Sequence, residues 1–215
     1  MTILVVLKQL QCLQETCGSG DDEVAAFFRV TSTHDDGSTR AAFNGFIVED
    51  CSSGDRPIEN ARFVGVSPIG QFINSNFTPG IELLSPAADR RPVTRVDVET
   101  IGLEIDGSDS TLQQANDHMA DFRSTGRIDP TIGVNDDVLW SLRWGMAVEA
   151  NDDLRLFGVD SAAVDVDDGE LTGLVSGPEF LSQLDPPLHI VVADSRNHAQ
   201  ESRYELTFAF AALPI

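Results

Sequence analysis

The sequence predicts an all-β fold, an antiparallel β-sandwich or jelly roll with one or two short helices in insertions. Several segments alternate between large apolar residues and small or polar ones, which is the period of a half-buried strand. Gly, Pro and Asp separate these segments at short intervals, and apolar residues at helical spacing are rare. Because many short strands in succession favour two packed sheets, we expect a single domain over residues 1–215.

The N-terminal apolar run from Ile3 to Leu7 is predicted to be the first strand. It is shorter than the apolar region of a signal peptide, and no cluster of basic residues precedes it. The clearest strand lies near the other end of the chain, where Tyr204, Leu206 and Phe208 share one face. Alternation also predicts strands at 24–30, 43–48, 93–106, 154–159 and 188–192.

The pattern within 93–106 changes near Thr100. Apolar residues fall on one face before this residue and on the opposite face after it: Val96 and Val98, then Ile101, Leu103 and Ile105. A β-bulge, or two strands that meet at a kink near Gly102, would account for the change of register.

Helical spacing occurs in two places. The first is formed by Leu112, Ala115, Met119 and Phe122, and the second is Pro178 to Leu184, which begins with a proline suited to a first helical turn. Ala163 to Leu174 is predicted to be a hairpin around Asp167, Asp168 and Gly169. The proline-rich segment at about 52–92 has little periodicity, and we interpret it as a long excursion that packs on its own sandwich or on a neighbour.

Charge is the most unusual property of the composition. The chain has 35 Asp and Glu residues and 14 basic ones, its net charge is −21, and Lys8 is its only lysine. Repulsion between these negative charges would expand the chain in dilute buffer, whereas at molar salt the screening length of the charges falls to about 3 Å. Carboxylates then hold water and ions at the surface, and Arg offers them a weakly hydrated, bidentate partner. We interpret the composition as adaptation to high salt, with an ordinary acidic protein as the alternative.

The same composition excludes several classes of protein. An acidic surface argues against nucleic-acid binding, and no run approaches the roughly 18 apolar residues of a membrane helix, so we expect no membrane insertion.

The cysteines Cys12, Cys17 and Cys51 form no disulfide framework, and we favour buried thiols, although Cys17 would pair with either of the others in an oxidising compartment. Nucleophile-elbow, dinucleotide-binding and P-loop motifs are missing from the sequence, and we expect no enzymatic activity.

The densest acidic cluster consists of Asp165, Asp167, Asp168 and Glu170. Calcium is the cofactor that such oxygen ligands would bind. An EF-hand loop needs Gly at its sixth position, whereas Gly169 is the fifth residue counted from Asp165, so this motif fails. We favour solvated carboxylates on a hairpin turn, because 23 aspartates in one chain produce such clusters by chance.

Two further groups are candidates for contacts with a partner. Trp140 and Trp144 share a face on either a strand or a helix, which suits a platform for a glycan or a protein. Packing in the core is the interpretation we favour, because the segment around them is apolar. Arg90, Arg91 and Arg95 are expected to pair with carboxylates of neighbouring molecules.

Three segments carry a resemblance: LKQLQCLQET and DDEVAAFFRV near the N-terminus, and RYELTFAF near the C-terminus. They resemble the opening and the Tyr-containing closing strand of a group of uncharacterised bacterial β-sandwich domains, which implies a sandwich and no activity. In acidic composition and size the chain is also similar to capsid and accessory virion proteins of viruses that infect haloarchaea. That second resemblance assigns a role to no individual residue.

These observations together predict a structural, assembly-forming protein of a halophilic system, such as a virion shell, a turret or decoration, or a surface component. Its expected partners are copies of itself and other structural proteins of the assembly, in a virion or at a cell surface. The alternative is a secreted or surface module that binds a carbohydrate or a protein in a calcium-dependent way.

Overall fold

A computed structural model describes residues 2–14, 22–51, 54, 62–63, 72–73, 80–84, 91–105, 111–125, 137–148, 154–160, 164–165, 188–193 and 203–213. These residues form twelve β-strands and one α-helix. The strands are β1 (Thr2–Gln14), β2 (Asp22–His34), β3 (Thr39–Cys51), β4 (Arg62–Phe63), β5 (Phe72–Ile73), β6 (Gly80–Leu84), β7 (Val93–Glu104), β8 (Asp137–Val148), β9 (Leu154–Asp160), β10 (Val164–Asp165), β11 (Leu188–Ala193) and β12 (Arg203–Leu213). The helix α1 (Thr111–Thr125) lies between β7 and β8 in the chain.

The strands form two sheets of six strands each, and the pairings are antiparallel. Sheet A has the order β10-β11-β12-β1-β6-β5, and sheet B has the order β4-β3-β2-β7-β8-β9. The first and last strands pair in sheet A, where Thr2 lies opposite Leu213 and Gln14 opposite Arg203. The structure confirms the all-β sandwich, and the jelly-roll topology stays a prediction.

Aromatic side chains join the two sheets across the core. The ring centroids of Trp140 and Tyr204 are 5.5 Å apart, and those of Trp144 and Phe208 are 5.2 Å apart. Phe28 also contacts Phe208, at 6.3 Å. In each pair one residue belongs to sheet B and the other to sheet A, so these contacts hold the sheets face to face. Burying a side chain of this size stabilises the fold by roughly 1.5–3 kcal/mol.

A polar side chain also crosses this core. Asn44 of β3 is fully buried, and its Nδ2 donates a 2.9 Å hydrogen bond to the carbonyl oxygen of Leu83 in β6. A buried amide destabilises the fold unless it is hydrogen-bonded. Because β3 belongs to sheet B and β6 to sheet A, this bond fixes the position of one sheet relative to the other.

The strand β1 changes its buried face at Lys8. The residues that face the core are Ile3, Val5 and Leu7 before it, and Leu10 and Cys12 after it. The register with β12 skips Lys8, since Leu7 pairs with Phe208 and Gln9 pairs with Thr207. A β-bulge inserts one residue and thereby reverses the face of those that follow. The only lysine of the chain therefore occupies a β-bulge.

The strand β7 keeps one register through Thr100. It pairs with β2 without interruption from Arg95 to Glu104. The apolar residues change face because different neighbours cover the two ends of β7: sheet A covers Val96 and Val98, and α1 covers Ile101, Leu103 and Ile105. The predicted bulge near Gly102 lies on the partner strand, where the register with β8 passes over Leu139.

The helix α1 packs on the outer face of sheet B, and this confirms the helix predicted around Leu112 to Phe122. Its buried residues Ala115, Met119 and Phe122 pack against Ala25, Phe27, Ile47, Leu103 and Ile105. The ring of Phe122 lies 6.1 Å from that of Phe43. Arg123, in the last turn, lies 5.9 Å from the centre of the Phe43 ring, where both the ring and the helix dipole favour a cation.

The described parts of the excursion at 52–92 belong to both sheets. β4 pairs with β3 in sheet B, whereas β5 and β6 pair with each other in sheet A beside β1. Cys12 and Cys51 are thiols buried in the core, as expected. Three predictions fall wholly or mostly outside the described residues: the helix at Pro178 to Leu184, the hairpin at Ala163 to Leu174 and the pairing of Cys17.

Candidate interaction surface

The outer face of sheet B divides into two halves. Under α1 it is apolar, with Phe27 on β2, Phe43 on β3 and Ile101 on β7. Beyond these residues, α1 no longer covers the sheet, and the outward positions become polar or small. They are Arg29, Thr31 and Thr33 in β2; Thr39 and Ala41 in β3; Arg95, Asp97 and Glu99 in β7; and Arg143, Gly145 and Ala147 in β8. We call this set of residues the arginine face.

Strand register arranges the arginine face in three rows across four strands. The rows are Arg29, Glu99 and Arg143; then Ala41, Thr31, Asp97 and Gly145; then Thr39, Thr33, Arg95 and Ala147. Successive rows lie about 7 Å apart, and neighbouring strands lie about 4.8 Å apart. Because the middle row consists mainly of short side chains, the surface between the two arginine-bearing rows is shallow and flat.

In the first row, Glu99 lies between two arginines on the neighbouring strands. The Nε of Arg29 donates to Oε2 of Glu99, and the Nε of Arg143 lies 3.6 Å from its Oε1. The exposed fraction of the side chain is 21% for Glu99, 30% for Arg29 and 59% for Arg143. Across β2, β7 and β8, the two cations and one carboxylate give this row one net positive charge, and Arg143 is its most exposed residue. In β9 the register places Asp160 opposite Arg143 and Arg155 opposite Ala147.

In the third row, Arg95 is held by a bidentate contact with Asp97. Its Nε and Nη2 donate to the two carboxylate oxygens at 2.8 and 2.7 Å. This hydrogen bonding raises the pKa of Arg95 above its ordinary value. The preceding residue, Thr94, is skipped in the register with β2, and this β-bulge turns Arg95 to the outer face. The guanidinium is thus oriented by its own strand and remains 48% exposed.

Arg91 lies beside the β2–β3 hairpin, at the end of the sandwich. Its Nη2 is 3.1 Å from Nε2 of His34, and its Nη1 donates to Oγ of Ser38 at 2.9 Å. The Nδ1 of His34 lies 3.0 Å from the carbonyl oxygen of Pro92. Because a guanidinium only donates and a carbonyl only accepts, His34 carries its proton on Nδ1. Arg91 therefore holds the turn of its own chain.

The turn between β2 and β3 has the geometry of a three-residue hairpin loop. The amide of Gly37 donates to the carbonyl of His34 at 3.0 Å, and the amide of His34 donates to the carbonyl of Ser38 at 2.9 Å. Gly37 has a φ of +79°, which residues with a side chain rarely adopt. Hydrogen bonds from the side chain and backbone of Ser38 lower the pKa of Asp36. The Asp-Gly pair at 36–37 is the signal in the sequence for this turn.

Trp140 and Trp144 point into the core, where they are 1% and 2% exposed. They share one face of β8, as their spacing predicts. The Nε1 of Trp140 donates to Oγ1 of Thr100 at 3.1 Å. Their position agrees with core packing, the interpretation that the apolar segment favoured, and their rings offer no platform at the surface.

Most of the other predicted site residues lie beyond the described part of the chain. They are Asp167, Asp168, Glu170 and Arg90, and Asp165 is described only as a backbone position in β10. Within the described ranges, no group of three or more His, Cys, Asp and Glu side chains is arranged to bind a metal ion. Of the predicted arginines, the structure places Arg95 on the arginine face and Arg91 at the hairpin.

Sequence reasoning missed Arg29, Glu99 and Arg143 as members of one group. The available signal is a charged residue at the centre of an apolar strand, as where Arg29 stands between Phe28 and Val30. The alternation shows that such a residue points outward. It does not show which strands are neighbours, so the cross-strand row becomes visible only in the sheet.

No helix in the described ranges has the length and hydropathy needed to cross a membrane. Comparison of the chain with family models, curated proteins and solved structures found no match. The chemistry of the arginine face is therefore the most specific indication of function that the described residues provide.

Proposed function

We propose that the protein is a structural, assembly-forming component of a high-salt environment, such as a virion shell, a turret or decoration, or a surface layer. The observation that supports this most directly is the charge of the arginine face. It carries Arg29, Arg95 and Arg143 against Asp97 and Glu99, whereas the whole chain has 14 basic and 35 acidic residues. The local charge thus has the opposite sign to that of the chain.

Stability of the fold does not account for this grouping. Partly exposed ion pairs contribute about 0.2–1 kcal/mol each, since water screens the charges and ordering two long side chains opposes the contact. Arg is enriched at protein interfaces and Lys is depleted there. A flat area with exposed arginines in its first and third rows therefore fits a contact surface better than a stabilising network.

High salt is consistent with the same surface. At molar ionic strength charges attract one another only over about 3 Å, so association depends on direct contact rather than on long-range steering. The planar guanidinium bonds a carboxylate bidentately and is weakly hydrated, which suits such contacts. The many remaining carboxylates keep the rest of the surface hydrated and limit non-specific association.

Sedimentation velocity and circular dichroism test the proposal over about 0.1–3 M potassium chloride, where the screening length falls from about 10 Å to under 3 Å. We expect an expanded or partly unfolded chain at the low end and a folded, multi-subunit species at the high end. A folded monomer at every protein concentration in molar salt would contradict the assembly function. Equal stability across the whole range would contradict the adaptation to salt.

A further inference from the structure

We infer that the arginine face binds the acidic surface of a second copy of this chain, with Arg143 and Arg95 as the two principal contacts. This inference rests on the proposed assembly function and names the surface through which assembly occurs. Its basis is charge complementarity between a locally positive face and a chain whose net charge is −21.

Exposure and orientation single out these two arginines. Arg143 and Arg95 expose 59% and 48% of their side chains, compared with 30% for Arg29. The 3.6 Å separation of Arg143 from Glu99 is longer than a hydrogen bond, so its guanidinium can turn to a second carboxylate. Arg95 is oriented by its two bonds to Asp97, which reduces the entropy lost when a partner binds.

The spacing of the two arginines defines what the partner surface must present. Arg95 pairs with Ala147, which is four residues beyond Arg143 on β8. The two side chains therefore start about 13 Å apart along the strand direction. Between them lies Gly145, which has no side chain to hold a partner away from the sheet. The complementary surface is one with carboxylates about 13 Å apart on a flat or gently convex patch.

The charge of the arginine face also determines how copies associate. Asp97 and Glu99 are already bound by arginines of the same face, so two arginine faces placed against each other would bring like charges together and would not be complementary. A contact between the arginine face of one copy and an acidic patch of the next is heterologous, and it leaves the acidic patch of the first copy and the arginine face of the second unoccupied. Such contacts continue into a ring or an open array, which is the geometry that a shell or layer requires.

Charge reversal at Arg143 tests this contact. Arg143→Glu reverses the exposed charge, and Arg143→Gln removes it without placing a new carboxylate beside Glu99. The matched control is Arg203→Glu, because Arg203 is an exposed arginine on β12 of sheet A, away from the arginine face. Sedimentation in molar potassium chloride measures the concentration of half-assembly, and the thermal midpoint of each variant reports whether it folds.

We expect Arg143→Glu to raise the concentration of half-assembly at least about tenfold, and Arg143→Gln to raise it less. Arg203→Glu should change it less than about twofold. If the wild-type chain assembles and Arg143→Glu assembles equally well, the inference is overturned and the assembly function stands. The same holds if Arg203→Glu weakens assembly as much, or if the wild type forms only closed dimers.

A monomeric wild type would instead overturn the assembly function together with this inference. A different occupant is tested by titrating a DNA duplex into the wild type and into Arg143→Glu. Binding that the substitution abolishes, with assembly unchanged, would assign the face to nucleic acid and overturn the second copy as its partner. No binding by either protein supports the inference.

Discussion

Gly102 of β7 lies against the indole ring of Trp140 in β8, so close that a methyl group at residue 102 would overlap the ring. The two residues are opposite each other in the sheet. Thr100, two residues along β7, accepts a hydrogen bond from Nε1 of the same ring. Across the core the ring meets Tyr204. The absence of a side chain at residue 102 thus makes room for one of the largest side chains of the core.

Gly102→Ala is expected to lower the free energy of unfolding by about 1–3 kcal/mol, because the indole ring must move within a packed core. Urea denaturation in molar potassium chloride measures this, and it avoids guanidinium chloride, which would change the ionic strength as well. The control is Trp140→Leu, in which the ring is gone. Adding Gly102→Ala to Trp140→Leu should then have little further effect, and an undiminished effect would contradict the steric explanation.

Thr100→Val keeps the shape of the side chain and removes the hydroxyl oxygen that Trp140 binds. We expect a loss of about 1–3 kcal/mol of unfolding free energy, because the indole N–H stays buried without its acceptor. Trp140→Phe removes the donor, so Thr100→Val should be nearly neutral in that background. A double-mutant cycle in urea measures the coupling, and a coupling near zero would show that the hydrogen bond contributes nothing.

Asn44→Asp replaces the donor of the bond between the sheets with a carboxylate that only accepts when it is ionised. At neutral pH we expect a loss of about 3–5 kcal/mol, the range for an uncompensated buried charge. Burial raises the pKa of such a carboxyl, so part of the stability should return as the pH falls and the group becomes protonated.

The matched control for Asn44→Asp is Asn116→Asp on α1. Asn116 is only half-buried, and its Nδ2 donates to the carbonyl oxygen of Leu112 at 2.7 Å. The same substitution there should lower the free energy of unfolding by less than about 1.5 kcal/mol. The measurement is urea denaturation at neutral pH. Equal losses of unfolding free energy at both sites would show that the hydrogen bond between the sheets contributes no more to stability than the bond within α1.

Asp36 should titrate below the ordinary range of an aspartate, because both the side chain and the backbone of Ser38 donate hydrogen bonds to its carboxylate. Carbon-13 NMR of the carboxyl group measures this pKa directly. Ser38→Ala removes the larger cause and should raise the pKa toward its ordinary value, although the backbone bond of 2.8 Å remains. An unchanged pKa in this variant would contradict the assignment.

The lowered pKa of Asp36 also predicts how the contribution of this residue to the free energy of unfolding depends on pH. Because the carboxyl binds its proton more weakly in the folded chain, its contribution is present above the ordinary aspartate value near pH 4 and is lost as the pH falls through the lowered value. The difference in unfolding free energy between the wild type and Ser38→Ala should therefore shrink on acidification through this range. If this difference grew as the pH fell, the prediction would be contradicted.

The contrast between Tyr204 and Trp140 shows how far the sequence predicts the fold. The alternation around Tyr204 depends only on local pattern, and the structure confirms that face as buried. For Trp140, the spacing from Trp144 gives a shared face but not whether that face is the core or the surface. The opposing sheet decides this, since Tyr204 and Phe208 cover the two rings.

The two faces of β7 make the same point. The positions of Val98 and Ile101 predict a change of register when each strand is assumed to have one buried face. Both faces of β7 are buried, one by sheet A and one by α1, so the pattern changes while the pairing with β2 does not. The local sequence pattern indicates which residues are buried. Which element covers them, here sheet A on one face and α1 on the other, depends on packing between distant parts of the chain.

The sequence by itself determined the strand periodicity, the helix at α1, the all-β sandwich and the net charge of −21, because each depends on composition or on residues a few positions apart. The tertiary structure alone decided that Arg29, Glu99 and Arg143 form one row, since they come from strands that are 70 and 44 positions apart in the chain. Which strands are neighbours in a sheet depends on pairing between distant parts of the chain, and this pairing determines which outward side chains are in contact. It therefore also decided where an acidic chain presents a positive surface.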